Sequence, residues 1–333
     1  MALLSIIIVN YNSAALLIDC IGSLVQCDSG LEKEIMVVDN KSEDDSQQRV
    51  VARFPEVYWL QMNYNAGFAR ANNVGIRQST GDMVLLLNPD VLFEDDSVDQ
   101  CYSRLQQSNY IGAGVQLLNP DRTPQITGSY FIMGGINHFL PLPVLGRVFK
   151  WLGSTLKVKK TNVPEAKGEV EVDWVNGAFL MVKKSAIEKA GLLDEDFFLY
   201  SEEIEWCSRL RRLGSFCVYG DLHAIHLQGE TANETFGSAG KGYFNLFDKK
   251  GGQIMLSNFV RIRKQFGVAW FFFHLLIYLL EIPLFLLQLC FQRLVGKSRL
   301  NFADFKGYCT NLSIVLSLTP TIVRNKPHFY KVL

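Results

Sequence analysis

The N-terminal third of this chain alternates short, unbroken apolar runs with amphipathic stretches, and that alternation limits the fold more than any other feature. Leu3 to Val9 is a β-branched run that reads as a fully buried strand; Glu34 to Val38, Val57 to Gln61 and Met83 to Leu87 repeat the pattern. Helices are predicted from Ser13, as N-cap, to Gln26 and from about Ala66 to Gln78. Buried strands joined by helices form a parallel, doubly wound sheet. Such sheets bind ligands beyond the carboxyl ends of their strands. Asp39, the segment Asn63 to Gly67, and Asn88-Pro89-Asp90 all fall at such ends, so three polar clusters are predicted to converge on one edge.

The rest of the sequence excludes several classes. Its 333 residues, 48% of them apolar, suffice for one large α/β domain plus an appendage. Basic and acidic residues number 33 each, so no global field draws the chain to nucleic acid. Seven scattered cysteines without a CxxC pair fit unpaired thiols in a reducing compartment better than a disulfide framework or a zinc site. No basic leader precedes the first strand, so no secretion signal is expected, and the Asn233-Glu234-Thr235 sequon reads as accidental. Asn119 to Lys167, rich in Gly and Pro, reads as a long irregular excursion of the kind that forms lids. Order returns with two strands around Gly177 between Val170 and Lys183, a helix from near Glu202, and strands at Phe216 to Tyr219 and Leu222 to His226.

Each polar motif has an ordinary reading beside a chemical one. Asn88-Pro89-Asp90 is a strand-ending turn, or a carboxylate placed to bind a hard divalent cation that neutralises a diphosphate. Asp39 is a loop or N-cap residue, or an acceptor for the imide of a pyrimidine base. Glu202-Glu203-Ile204-Glu205 follows the aromatic run Phe197 to Tyr200. It is helix initiation favoured by the macrodipole, or a general base desolvated by aromatic walls. His223 and His226, three apart on a strand, point to opposite faces, which predicts one metal ligand and one structural histidine. Trp174 to Ala178 buries a core tryptophan, or lines an acceptor pocket in which Gly177 permits close backbone approach.

Taken in order, these segments resemble family 2 glycosyltransferases of the GT-A fold, most of all the bacterial rhamnosyltransferase-like branch. The matching stretches are Ser5 to Asn12, Val38-Asp39-Asn40, Asn65 to Asn73, Leu87 to Val91, Trp174 to Ala178, Leu193 to Glu205, and His226 with Gly229-Glu230-Thr231. The resemblance implies a GT-A, Rossmann-like, mixed and mainly parallel α/β sheet over residues 1–255, with a nucleotide-binding half (1–118) and an acceptor and catalytic half (119–255). It implies that Asn10, Tyr11 and Asp39 hold the nucleoside and that Asn65, Gly67 and Asn73 shape the wall near ribose and diphosphate. Asp90, with Asn88, stands at the metal-binding acid motif, and His226 is a further ligand for Mg2+ or Mn2+. Glu203 is the catalytic base, while Glu202, Trp174 and Gly177 line the acceptor pocket. The implied partners are a nucleoside-diphosphate sugar, with dTDP-rhamnose the leading donor, and a polyprenyl-linked or glycan acceptor in O-antigen- or capsule-type synthesis. Two departures stand out: Asn88 replaces the first acid of the DxD motif, and Glu-Asp-x-Asp has become Glu202-Glu203-Ile204-Glu205.

Residues 256–333 read as a C-terminal, apolar, helical membrane-associating segment. Val268 to Phe291 is long enough to span a bilayer, its polar members His274, Glu281 and Gln288 recur every seven residues on one stripe, and Pro283 predicts a kink. Basic residues flank both ends, and a single crossing would export one cluster against the positive-inside rule. An interfacial or re-entrant helix at the cytoplasmic face of the inner membrane is therefore expected, its polar stripe facing protein or headgroups. Thr310 to Val323 is a weaker second element. Two rival functions are a catalytically inactive, membrane-bound sugar-nucleotide-binding protein and a sugar-phosphate nucleotidyltransferase. The latter would need a glycine-rich loop after the first strand, where Asn10-Tyr11-Asn12-Ser13-Ala14 has no glycine.

Overall fold

The computed structural model describes residues 3–227, 236–238, 244–295 and 300–332. They fall into two compact units: Met1–Tyr130 with Asn162–Glu195 and Glu202–Thr231, and Phe131–Thr161 with Asp196–Ser201 and Ala232–Leu333.

The first unit is built on a nine-stranded sheet. Its first strands are β1 (Leu3–Asn10), β2 (Glu32–Asp39), β3 (Tyr58–Gln61), β4 (Met83–Leu87) and β5 (Val91–Leu92). The others are β6 (Gly112–Leu118), β8 (Glu169–Val172), β10 (Phe179–Lys183) and β11 (Phe216–His226). The order is β3-β2-β1-β4-β10-β6-β11-β5, with β8 also alongside β11. β3, β2, β1 and β4 run parallel, as do β6 and β11, while β10 lies antiparallel between β4 and β6. The expected mixed, mainly parallel sheet is present. Continuous apolar runs suit its central strands because helices cover both faces: β4 is buried at every position. One face packs Leu17, Ile21 and Leu24 of α1 (Ala14–Gln26) and Val98, Tyr102 and Leu105 of α4 (Ser97–Gln107) on the strands. A short second sheet pairs β7 (Gly128–Ser129) with β9 (Trp174–Val175).

β11 is one strand, where two were expected. Its pairing with β6 jumps from Tyr219 opposite Val115 to His223 opposite Gln116, so Gly220 to Leu222 bulge out of the ladder. Only glycine fits at the first bulged position, since a Cβ on Gly220 would lie 2.1 Å from the Ala166 carbonyl oxygen.

The second unit is helical. It holds α5 (Leu145–Thr155), α8 (Lys249–Phe266), α9 (Val268–Val295) and α10 (Phe302–Arg324), with a 3-10 segment at Met133–Phe139. The stretch read as irregular from 119 to 167 thus contains a regular helix; α8 was not located by the sequence reading, and α10 starts eight residues before the element expected at Thr310 to Val323. α9 continues through Pro283 without a break. Its stripe of polar residues faces protein. His274 Nε2 bonds the Gly134 carbonyl at 2.8 Å, Glu281 accepts from the backbone N–H groups of Val144 and Leu145, and Gln288 accepts from Arg147 at 2.6 Å. His274 and Glu281 are fully buried, while Leu280, Leu287 and Phe291 on other faces of the helix are exposed.

Candidate active site

The candidate residues lie in the first unit, most of them at the carboxyl ends of its strands. β2 ends on Asp39, which is buried, and its carboxylate takes four hydrogen bonds. Asn10 Nδ2 (2.8 Å) and Ser42 Oγ (2.6 Å) donate to Oδ1; Ser42 N (2.8 Å) and Gln61 Nε2 (2.7 Å) donate to Oδ2. A carboxylate offers about four acceptor positions, so this one is saturated. Three of the donors are buried or fixed to backbone; Gln61, at the end of β3, is exposed and is the one a ligand could displace. Asn10, at the end of β1, is also fully buried, and its Oδ1 has no partner. Tyr11 follows it, half-buried.

Asn40 joins this corner to α3 (Gly67–Gln78): its Oδ1 accepts from Ala66 N at 3.1 Å and its Nδ2 donates to Gly67 O at 3.0 Å. Gly67 has φ 74°, a conformation that favours glycine, and its N–H bonds the Asn65 side chain at 3.1 Å. Asn73, on the same helix, serves a different purpose. Its amide pairs with both backbone groups of Leu193 and with Glu195 Oε1, so it ties α3 to the segment ahead of the acidic helix.

The acidic segment opens α7 (Glu202–Leu210), directly after two residues with left-handed backbone, Tyr200 and Ser201 (φ 71° and 68°). Its carboxylates divide by partner. Glu205 makes a bidentate ion pair with Arg209 (2.9 and 3.1 Å to Nε), and Arg209 in turn donates to the carbonyls of Ala190 and Leu192. Glu203 lies against Gly177, where a Cβ would meet Glu203 Cβ and Cγ and Phe68 Cζ, each at 3.5 Å. Gly177 therefore marks an ordinary close packing of the acidic helix and α3. The next residue, Ala178, accepts from Asn88 N at 3.0 Å, two positions from Asp90. A line of neighbours thus runs from Asp39 through Asn40, Gly67, Phe68, Gly177 and Glu203 to Asn88 and Asp90. Trp174, half-buried on β9, pairs with Ser129.

Glu202 is buried, and its Oε2 has no hydrogen-bond partner. Burial, and then the charge of Glu203 beside it, push its carboxyl well above the usual carboxylate range. With the folded-state pKa raised, the carboxyl's contribution to stability is complete below the unfolded value of 4.5 and is lost as pH rises through the folded one. Glu202→Gln is accordingly expected to melt a few degrees above wild type at about pH 8 and together with it at about pH 4. Superimposable melts at the higher pH would contradict the assignment.

Asp90 and His226 meet at the sheet edge. β5 follows Asp90 and pairs with the end of β11, His226 opposite Val91, and Leu227 N donates to Asp90 O at 3.0 Å. His226 Nε2 lies 3.4 Å from Asp90 Oδ1, both residues being buried. The other ring nitrogen fixes the tautomer. Gln125 Nε2 donates to Leu118 O, Asn119 Oδ1 and His226 O, so Gln125 Oε1 must accept from His226 Nδ1–H at 2.9 Å. In the neutral ring Nε2 then carries a lone pair, it has no hydrogen-bond partner, and it faces a carboxylate oxygen. Two electron-pair donors set face to face, with an amide orienting the histidine from behind, suit a cation bonded to each at about 2.1 Å. His223 is exposed and stands apart. Gly229-Glu230-Thr231 lie outside the described residues.

Residues 5–141 match the family model described as "Glycosyl transferase family 2". A low-salt glycan biosynthesis hexosyltransferase of Haloferax volcanii is 33% identical over 215 residues, 63% of this chain and 62% of that protein. An N-acetylglucosaminyl-diphospho-decaprenol L-rhamnosyltransferase of Mycobacterium tuberculosis is 28% identical over 200 residues, 56% and 63% of the two chains. Over these stretches the chain is similar to glycosyltransferase family 2. A rhamnosyltransferase of Escherichia coli is 25% identical over 48% of this chain and 60% of that protein, so two of these three relatives are named as rhamnosyltransferases. The chain spans between 60% and 63% of the length of these three relatives. The crystal structure of GalNAc-T7 with UDP, GalNAc and Mn2+ superposes with a TM-score of 0.51 at 13% identity, covering 81% of this chain and 56% of that one. That likeness is one of fold, the GT-A arrangement.

Sequence reasoning missed four side chains that build the candidate site. Ser42 and Asn40 adjoin Asp39 and could have been taken from their position after β2. Gln61 and Gln125 carry no local signal, since each acts on a residue brought near only by the fold.

Proposed function

We propose that this chain transfers a sugar, with inversion, from a nucleoside diphosphate to an acceptor hydroxyl. The observation that carries the reading is the buried His226 Nε2 facing Asp90 across 3.4 Å, its tautomer set by Gln125. Those two residues would hold Mg2+ or Mn2+, which when bound offsets the charge developing on the departing diphosphate. Asp39 binds the base imide once Gln61 releases its Oδ2, and the Asn40-anchored turn at Asn65 to Gly67 forms the wall beside the ribose. Glu203 removes the proton from the acceptor oxygen. That oxygen bonds to the anomeric carbon as the bond to diphosphate breaks on the opposite face, so the configuration inverts.

The relatives' names support rhamnose from dTDP-rhamnose as the donor group and a polyprenyl-diphosphate-linked glycan as acceptor in cell-surface glycan synthesis. In this reading the chain works at the cytoplasmic face of the membrane, and the second unit supports its attachment there. α9 is long and apolar enough to cross a bilayer. Its buried polar stripe, bonded within its own unit, favours a helix lying in the interface with an exposed apolar face toward lipid.

The test is transfer from radiolabelled dTDP-rhamnose to a polyprenyl-diphosphate N-acetylglucosamine. Transfer is expected to stop on chelation and resume with Mn2+ or Mg2+. Binding of sugar nucleotides without transfer or hydrolysis of any of them would defeat the proposal in favour of an inactive binding protein.

A further inference from the structure

The outer face of α5 is built the wrong way round for a soluble helix. Val148, Trp151 and Leu152 recur at helical spacing and form one apolar stripe, which in a globular domain turns toward the core. Here the opposite side is fixed inward: Gly146 is buried against the Phe139 and Leu140 carbonyls, and the helix start is held by the Glu281 carboxylate. The apolar stripe is left in solvent, with Trp151 65% exposed and Leu156, just past the helix, 72% exposed. An exposed patch of this kind marks a contact surface.

Charge says what the contact is. Across residues 145–164 there are five cations, Arg147, Lys150, Lys157, Lys159 and Lys160, and no acidic residue, in a chain whose formal net charge is zero. We propose that α5 and the lysines after it are a docking surface for a bilayer of anionic lipids. Trp151 and Leu156 enter the headgroup boundary while the lysine stems reach up to phosphate. Nucleic acid would use the cations and leave the apolar stripe uncovered. The surface is continuous with a lipid-facing one, because Glu281 and Gln288 fasten α5 to α9, whose Leu280 and Leu287 are exposed. This rests on the reading that the second unit sits on a membrane, and adds which lipids it selects.

The experiment is flotation of the full chain with vesicles of phosphatidylcholine alone or mixed with phosphatidylglycerol. Wild type is expected to prefer the anionic vesicles, with a preference that salt erases. The triple variant Lys157→Gln, Lys159→Gln, Lys160→Gln should bind anionic vesicles on the order of a hundredfold more weakly and neutral ones unchanged. Trp151→Ala should weaken both. Donor-nucleotide binding, measured in parallel, reports that the variants are folded. Equal wild-type binding to both vesicles, or a triple variant that binds like wild type, overturns the inference and leaves the membrane reading standing. Failure of wild type to bind either vesicle removes both.

Discussion

Glu203→Gln should lower the turnover of glycosyl transfer by about a hundred- to ten-thousandfold, the range a positioned general base supplies, while donor binding stays as it was. Glutamine keeps the size of the side chain and its packing on Gly177 and Phe68. What it loses is the ability to take a proton. Glu203, the proposed base, is also longer by one methylene than the aspartate at this place in the family it resembles, and an ångström of misplacement costs on the order of a hundredfold. Glu203→Asp is therefore expected to be impaired as well, though less than the glutamine variant. Pre-steady-state measurement of the chemical step, with donor Kd by titration, separates the effects. Near-normal turnover in Glu203→Gln would remove Glu203 from the role, and Glu202 would be the next residue to test.

The second large effect is expected at Asp90. Asp90→Asn should cost about a hundred- to a thousandfold in kcat/KM, comparable with removing one strong stabiliser of transition-state charge, and should raise the Mn2+ concentration needed for half-maximal rate. His226→Ala should act in the same direction. Gln125→Leu replaces neither proposed ligand, yet it releases the imidazole from the tautomer that presents Nε2, so metal affinity should fall about ten- to a hundredfold. Isothermal titration with Mn2+ reads this directly, independently of turnover. An Asp90→Asn protein fully active in chelator would mean that the leaving group is stabilised by side chains alone.

Much of this architecture was legible in the sequence because burial leaves a periodic trace. β1, β2 and β4 and the helix after Ala66 follow directly from apolar runs and caps, and topology alone put Asp39 and Asp90 on one edge. The acidic cluster was half legible. The spacing of Glu205 and Arg209, four apart on a helix, announces the ion pair that takes one of its carboxylates out of the chemistry. The second unit was the least legible. In α5 Val148, Trp151 and Leu152 face outward while Phe149 packs on Phe139, so the usual inference from pattern to core fails, and α8 carries Gly251-Gly252 in its first turn, which weakens any helix signal. Gln125 sits in chain without periodicity and reaches a residue 101 positions later.

The bulge in β11 makes the aim of His226 a question of parity. Side chains on a strand alternate sides, and the ladder with β6 skips three positions, an odd number, between Tyr219 and His223. Had the ladder run on without the skip, the imidazole would turn its back on Asp90. Residues 220–222 absorb that odd count, so His226 is aimed by its partners beyond the bulge and not by its distance along the chain from Tyr219.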